Sequence, residues 1–315
     1  MTGSGMPRLT RSTPVLTIVL IATIALLDGL AVSARTRPRT ASLRVAGSIA
    51  GSIVVVDDVR LGRTDSNGSA TFANIPPGRR TALVRQPGFA DDRRTVTFAA
   101  GAVATIRPRR LAISDSAERI QRAALFLAAD GKHEQAASEF RRAIEARGAP
   151  YREAEVGLVR SLLALKDYDG ASAAAEIVAA ANPKNLEAQT VLANVLRERG
   201  FYDEATEAYR RAIALSPDRA PEAHAGLAIL LGERGDISGA AAEYKRAIAQ
   251  NFDAEPILYQ LYGSVLERLD LPGEAVAAYE RFLALAPSSS LAPAVRSVVE
   301  QLKEGDDVNP YAPAP

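Results

Sequence analysis

The chain contains no cysteine in its 315 residues. Disulfides, thiolate metal sites and lipid attachment at a bacterial lipobox are therefore excluded, and the fold has to be held by its apolar core. Histidine is almost as scarce, with only His133 and His224. His133 falls in a polar turn beside Gly131-Lys132, and His224 early in a helical segment, so neither suggests a ligand set. The His-Glu-x-x-His spacing of a metalloprotease is missing, as is any phosphate-binding glycine loop. Gly-x-Ser-x-Gly is absent too, which removes the usual hydrolase elbow. Carboxylates are paired at Asp57-Asp58, Asp91-Asp92 and Asp306-Asp307. Side chains one residue apart on a turn do not converge on a substrate, so these read as surface turns. Asp65-Ser66-Asn67-Gly68 lacks the spacing and the terminal Glu of a calcium loop. No catalytic residue, no metal ligand and no cofactor is expected.

Charge is the next deficit, because the formal net charge is only +1. That average hides a split. Residues 35–111 carry 14 Arg, no Lys and 5 Asp, for +9, whereas residues 112–315 carry 22 basic and 31 acidic groups, for −9. A basic module is thus joined to an acidic one. Such a split fits docking to an anionic surface, two modules that face each other, or simply two solvated faces of opposite sign. Nucleic acid is not an expected partner, since the aromatic residues beside the arginines are only Phe72, Phe89 and Phe98.

What is present is repetition. Small residues recur at Ala124, Val159, Ala193, Ala228 and Gly263, each followed by a Gly or Asp turn and then an alanine. Those alanines, Ala136, Ala171, Ala205, Ala240 and Ala275, are 35, 34, 35 and 35 residues apart. Four residues on stand Phe140, Ala175, Tyr209, Tyr244 and Tyr279, and Pro183, Pro217 and Pro287 close three of the copies. Small residues let two helix backbones approach, an aromatic fills the space one turn further on, and Pro stops the second helix. Self-similarity at this period resembles the tetratricopeptide (TPR) repeat. Five repeats are read, at 117–150, 152–185, 186–219, 221–254 and 256–289, with a capping helix at 290–304 and a disordered tail at 305–315.

The first third of the chain differs. Arg8 and Arg11, an apolar run from Val15 to Leu27 and the small residues Val32-Ser33-Ala34 read as an export signal over residues 1–34. Cleavage after Ala34 is one outcome; an uncleaved anchor over Val15–Ala34 is the other. Residues 42–111 hold short β-branched runs, Leu43–Ala46, Ile53–Val56, Ala70–Phe72, Thr81–Val84, Thr95–Phe98 and Val103–Ile106. Turn chemistry at Asn67-Gly68, Pro76-Pro77-Gly78 and Pro87-Gly88 separates them, which predicts a small antiparallel β-sandwich. The stretch from Thr64 through Ile75-Pro76-Pro77-Gly78 to Pro87-Gly88-Phe89 resembles the carboxypeptidase regulatory-like domain and is also similar to the PEGA domain. Ser114-Asp115-Ser116 forms a short joint with N-cap oxygens for the first repeat helix.

The expected architecture is multidomain: a small antiparallel β-sandwich followed by an all-α TPR superhelical solenoid. The TPR resemblance implies a concave groove lined by the first helix of each repeat. Mapped onto this chain, that face takes in Gln121, Arg160, Asn194, Arg197, Ser264 and Arg268. Chaperone-binding TPR proteins hold two carboxylates in a clamp of Lys, Asn and Arg; here only Asn194 sits at a comparable place, and Val156, Leu163 and Ile229 make the groove more apolar than such a clamp. The resemblance implies a non-enzymatic, exported bacterial adaptor whose groove binds a protein partner in a periplasmic or cell-envelope complex. Two alternatives stand beside it: a carbohydrate or cell-wall module acting through the basic sandwich, and an accessory subunit of export or assembly machinery.

Overall fold

A computed structural model describes residues 40–148 and 150–306. The expected export signal, the last residues of the tail and Asp307 lie outside the described residues.

Seven strands come first: β1 (Ala41–Val45), β2 (Ile53–Val56), β3 (Val59–Arg63), β4 (Ala70–Ile75), β5 (Gly78–Arg85), β6 (Asp92–Phe98) and β7 (Val103–Ile106). They form two sheets, one in the order β4-β1-β7 and the other in the order β3-β2-β5-β6. Alternation decides which faces meet. Leu43 and Val45 from one sheet, with Val54, Val56, Ala82 and Val84 from the other, are fully buried in a shared core. Each of these valines and the leucine contributes about 1.5–3 kcal/mol by leaving water.

Two features depart from the sequence reading. β1 pairs with β7 in parallel, Ser42 opposite Val103 and Val45 opposite Ile106, so the sandwich is not wholly antiparallel. β3 was not expected, because Val59-Arg60-Leu61-Gly62-Arg63 mixes charge and glycine. It forms because Asp57 and Asp58 take φ of 47° and 70° and reverse the chain in a tight turn from β2. The Asp57 carboxylate steadies that turn, accepting from the Thr81 N–H and the Arg80 guanidinium, each at 2.8 Å.

Eleven helices follow among the described residues. They are α1 (Ser116–Ala129), α2 (His133–Arg147), α3 (Arg152–Ala164), α4 (Tyr168–Ala181), α5 (Leu186–Glu198) and α6 (Tyr202–Leu215), then α7 (Pro221–Glu233), α8 (Ile237–Asn251), α9 (Ile257–Arg268), α10 (Pro272–Leu285) and α11 (Ala292–Asp306). The first ten pair into five hairpins, and α11 covers α10 through Val295 and Val299. Asp115, Asp167, Asn185 and Asp236 cap four of the helices through N–H groups of the first turn. Pro183, Pro217 and Pro287 each stand two residues beyond a helix end. The mid-repeat alanines Ala136, Ala171, Ala205, Ala240 and Ala275 are all 0% exposed.

Tyr209 of α6 shows how repeats are keyed together. A Cβ on Gly226 of α7 would stand 2.5 Å from its ring, so only glycine lets the next repeat close over it. Gly157 of α3 covers Phe140 of α2 in the same way. Large rings thus enter the seams between neighbouring repeats, and backbone approach is what admits them.

Ion pairs join the sandwich to the first repeat. Asp91 accepts from Arg85 of β5 and from Arg122 of α1, both largely buried, and Arg63 of β3 reaches Asp130 at the end of α1 at 2.7 Å. Asp91 and Asp92 are therefore not surface turns. Asp92 is 1% exposed and is held by Arg94, by Arg109 and by the Arg109 N–H. Burial would raise both carboxyls, but these donors outweigh it and hold each below its ordinary value.

Candidate partner-binding groove

The first helices of repeats two, three and four, α3, α5 and α7, bring polar groups of three repeats onto one surface. Glu222, in the first turn of α7, is the centre. Its carboxylate accepts from Arg160 of α3 at 2.6 Å and from the Asn194 amide of α5 at 3.2 Å. The Asn194 carbonyl in turn accepts from the Tyr209 hydroxyl at 2.6 Å. The Tyr209 ring is 0% exposed, so the amide is fixed from below by the core and not by solvent.

A cavity of about 390 Å³ opens beside this network. Asn194, Arg197 and Glu222 line it together with Leu163, Ala225 and Ile229. The lining thus mixes both signs of charge, an amide and aliphatic surface, the kind of surface that takes an extended peptide or a partner helix.

Electrostatics set the tone of the site. The Glu222 carboxylate holds the Arg160 guanidinium above its ordinary value, against the opposing effect of burial, and Glu187 adds to it. Burial, and then Glu222, push the Glu255 carboxyl up. Burial also pushes the Tyr209 phenol up to about 12. Carboxylates therefore crowd around Arg160.

The six residues expected on the groove are not equivalent. Arg160, Asn194 and Arg197 come together around Glu222 and the cavity. Gln121 is buried in the first repeat, at 4% exposed. Ser264 turns back onto its own helix, donating to the Leu261 carbonyl at 2.8 Å. Arg268 reaches the Gly232 carbonyl at 3.4 Å, away from the cavity lining. Val156 is buried at 3%, whereas Leu163 and Ile229 face the cavity.

Glu222 is the residue that sequence reasoning passed over. A signal was available, since Glu187 stands 35 residues earlier at the same place in its repeat. The Asp65 carboxylate is engaged by the N–H groups of Asn67 and Ser69 within its own turn. His224 is 3% exposed, with Nδ1 2.6 Å from Glu243. Among the described residues, no group of three or more His, Cys, Asp or Glu side chains could hold a metal ion, and no helix is long and apolar enough to cross a membrane.

The architecture defines a class: a β-sandwich joined to a solenoid of helical hairpins. Three tetratricopeptide-repeat family models match the solenoid, at residues 156–220, 196–264 and 257–289, and the PEGA domain model matches residues 40–109. The chain therefore carries a PEGA domain followed by TPR repeats, and of the two β-domain resemblances it is the PEGA one that is identified.

Solved structures agree on the fold of the repeats. A thermophilic TPR protein of Thermus thermophilus superposes with a TM-score of 0.51 at 21% identity, covering 60% of this chain and 100% of that one. The Cut9-Hcn1 hetero-tetramer of the APC/C gives 0.54 at 15% identity, over 62% of this chain and 38% of that one. Yeast Tom70 gives 0.52 at 15% identity, over 62% and 41%. No curated protein matches the chain by sequence. The repeats make this a protein-interaction scaffold of a kind that is typically non-catalytic.

Proposed function

We propose that the chain is an exported, non-enzymatic adaptor of a bacterial cell envelope that grips a protein partner in the groove centred on Glu222. One observation carries the reading: Asn194, Arg197 and Glu222 border a cavity of about 390 Å³ that also has aliphatic walls. Hydrogen-bonding groups anchored by the core, beside apolar surface, suit side-chain and backbone recognition of a peptide segment. Export rests on the basic start, apolar run and small residues within residues 1–34.

Ala225→Arg tests it, because Ala225 is half-buried at the cavity wall and an arginine there fills the space without entering the core. In a cross-linking capture from intact envelopes, the wild type should retain one specific partner and Ala225→Arg should lose it. Equal capture by both, with unchanged circular dichroism, would remove the groove from consideration.

A second reading has its own support. Arg79, Arg93, Arg107 and Arg110 of the sandwich are exposed and make no ion pair among the described residues. They suit an anionic envelope surface, a lipid headgroup or an acidic cell-wall polymer. Reversing Arg79 and Arg93 to Glu would abolish retention on such a surface and leave the groove partner in place.

A further inference from the structure

The sandwich touches the solenoid at two distant places. One is the first repeat, through Asp91, Arg122, Arg63 and Asp130. The other is the fourth, through the turns that flank it. Arg219, just before α7, donates to Asp58 at 3.0 Å and lies 3.7 Å from Asp57, both on the β2–β3 turn. Phe252, at the end of α8, packs against the hydrophobic core of the sandwich, and the Arg80 guanidinium lies over its ring at 5.1 Å.

Phe252 is the telling residue. It stands at a helix C-cap with φ of 53°, and Asp253 follows at 61°. Left-handed backbone at that position is the place for glycine, which adopts it without a Cβ penalty. A phenylalanine held there means that its ring is required elsewhere, and the ring is found on the sandwich. The solenoid alone gives no reason for it.

The two attachments differ in how well their ion pairs are shielded from water. At the first repeat, Arg122 and Asp91 keep 13% and 15% of their side-chain exposure. At the fourth, Arg219 and Asp58 keep 48% and 63%, where water and salt screen the pair. The better shielded ion pair is thus at the first repeat, and the apolar contact, Phe252 on the sandwich core, is at the fourth.

We propose that the PEGA domain is a clasp that ties repeat one to repeat four and sets the curvature of the solenoid, its hold on repeat four resting on Arg219 and Phe252. The clasp goes beyond the adaptor reading and stands whatever the groove binds. It also has a route to the groove, since Arg219 precedes Glu222 by three residues at the start of α7. A molecule that pulls on Glu222 therefore acts on the same helix end that the clasp holds, and the two events are linked reciprocally.

The absence of native cysteine permits a direct test in the full chain. Spin labels are placed on the exposed positions Arg141→Cys in α2 and Lys245→Cys in α8, to read the solenoid from repeat one to repeat four. A second pair, Arg79→Cys and Lys245→Cys, reads across to the sandwich. Both pairs should give one narrow distance distribution. Phe252→Gly with Arg219→Ala should broaden both, and lower the ratio of clasped to open molecules by about tenfold, the combined effect expected of an aromatic–cation contact and an ion pair. Glycine suits the backbone at 252, so helix content should not fall; Glu280→Ala, which breaks the Glu280–Lys303 pair of the last repeat, should change neither distance. Broad distributions in the unaltered background, or narrow ones retained by the double variant, overturn the proposal.

Discussion

Gly226→Ala separates the two things a glycine can do in a helix. Away from contacts, replacing a helical glycine by alanine stabilises by about 1 kcal/mol, because the unfolded chain has less freedom to lose. At Gly226 the new Cβ would lie 2.5 Å from Cε1, Cζ and the hydroxyl of Tyr209, about an ångström inside ordinary contact. The ring has nowhere to retreat, being 0% exposed among Ala193, Ala205, Ala208 and Ala212. Overpacking of this kind costs about 1–3 kcal/mol, and displacing the ring from Asn194 forfeits a hydrogen bond of about 0.5–1.5 kcal/mol. Set against the propensity gain, the net effect is a loss of about 1–3 kcal/mol. Gly232 lies on the same helix, and a Cβ there would meet only Ala240 Cβ at 3.7 Å, so Gly232→Ala should gain up to about 1 kcal/mol. Urea unfolding followed by circular dichroism should order the three proteins as Gly232→Ala, wild type, Gly226→Ala. The double variant Tyr209→Leu/Gly226→Ala should lose less than the sum of its parts, because the smaller side chain vacates the space. A Gly226→Ala protein as stable as the wild type would refute the idea that Tyr209 keys repeats three and four.

Asp92→Ala should cost about 1–3 kcal/mol in the same unfolding assay, less than a fully enclosed pair would, since Arg109 can turn to water while the Arg109 N–H loses its acceptor. Acidification should destabilise the fold: Asp91, Asp92 and Glu243 are held below their unfolded values, so their contribution is complete above about pH 5 and is lost as pH falls through the folded values. Glu255, which is raised, works in the opposite sense and softens that loss; Glu255→Gln should make the acid transition steeper in a pH titration of the melting temperature.

Local signals carried the solenoid. Ala136, Ala171 and Ala205 had to be small because helices cross there, and that requirement repeats at a fixed period whatever the neighbours are. The strands were legible where branched residues clustered, as in Ile53–Val56, and lost where Gly62 and two arginines interrupted β3. The parallel pairing of β1 with β7 depends on residues some 60 positions apart and leaves no mark within either strand. The candidate groove was half legible. Asn194 and Arg197 lie on the face that the repeat pattern assigns, while Gln121 is buried by neighbours that no period encodes. Phe252 and Arg219 look like ordinary turn residues in the sequence, and only the folded chain brings them to the sandwich.

Asp91 has a consequence for anyone who would take the molecule apart. Its one carboxylate is shared by an arginine on each side of the domain boundary, so the boundary that is clean along the chain is not clean in charge. Cutting near residue 111 would leave Arg122 with only Glu118 and would lay the Phe252 ring open to water. An isolated solenoid would then present new surface at two places, Arg122 with Asp130 at the first repeat and Arg219 with Phe252 at the fourth, and proteins that adhere there would report the cut and not the native surface. Dissection of this protein is better done by single substitutions in the intact chain than by scissors.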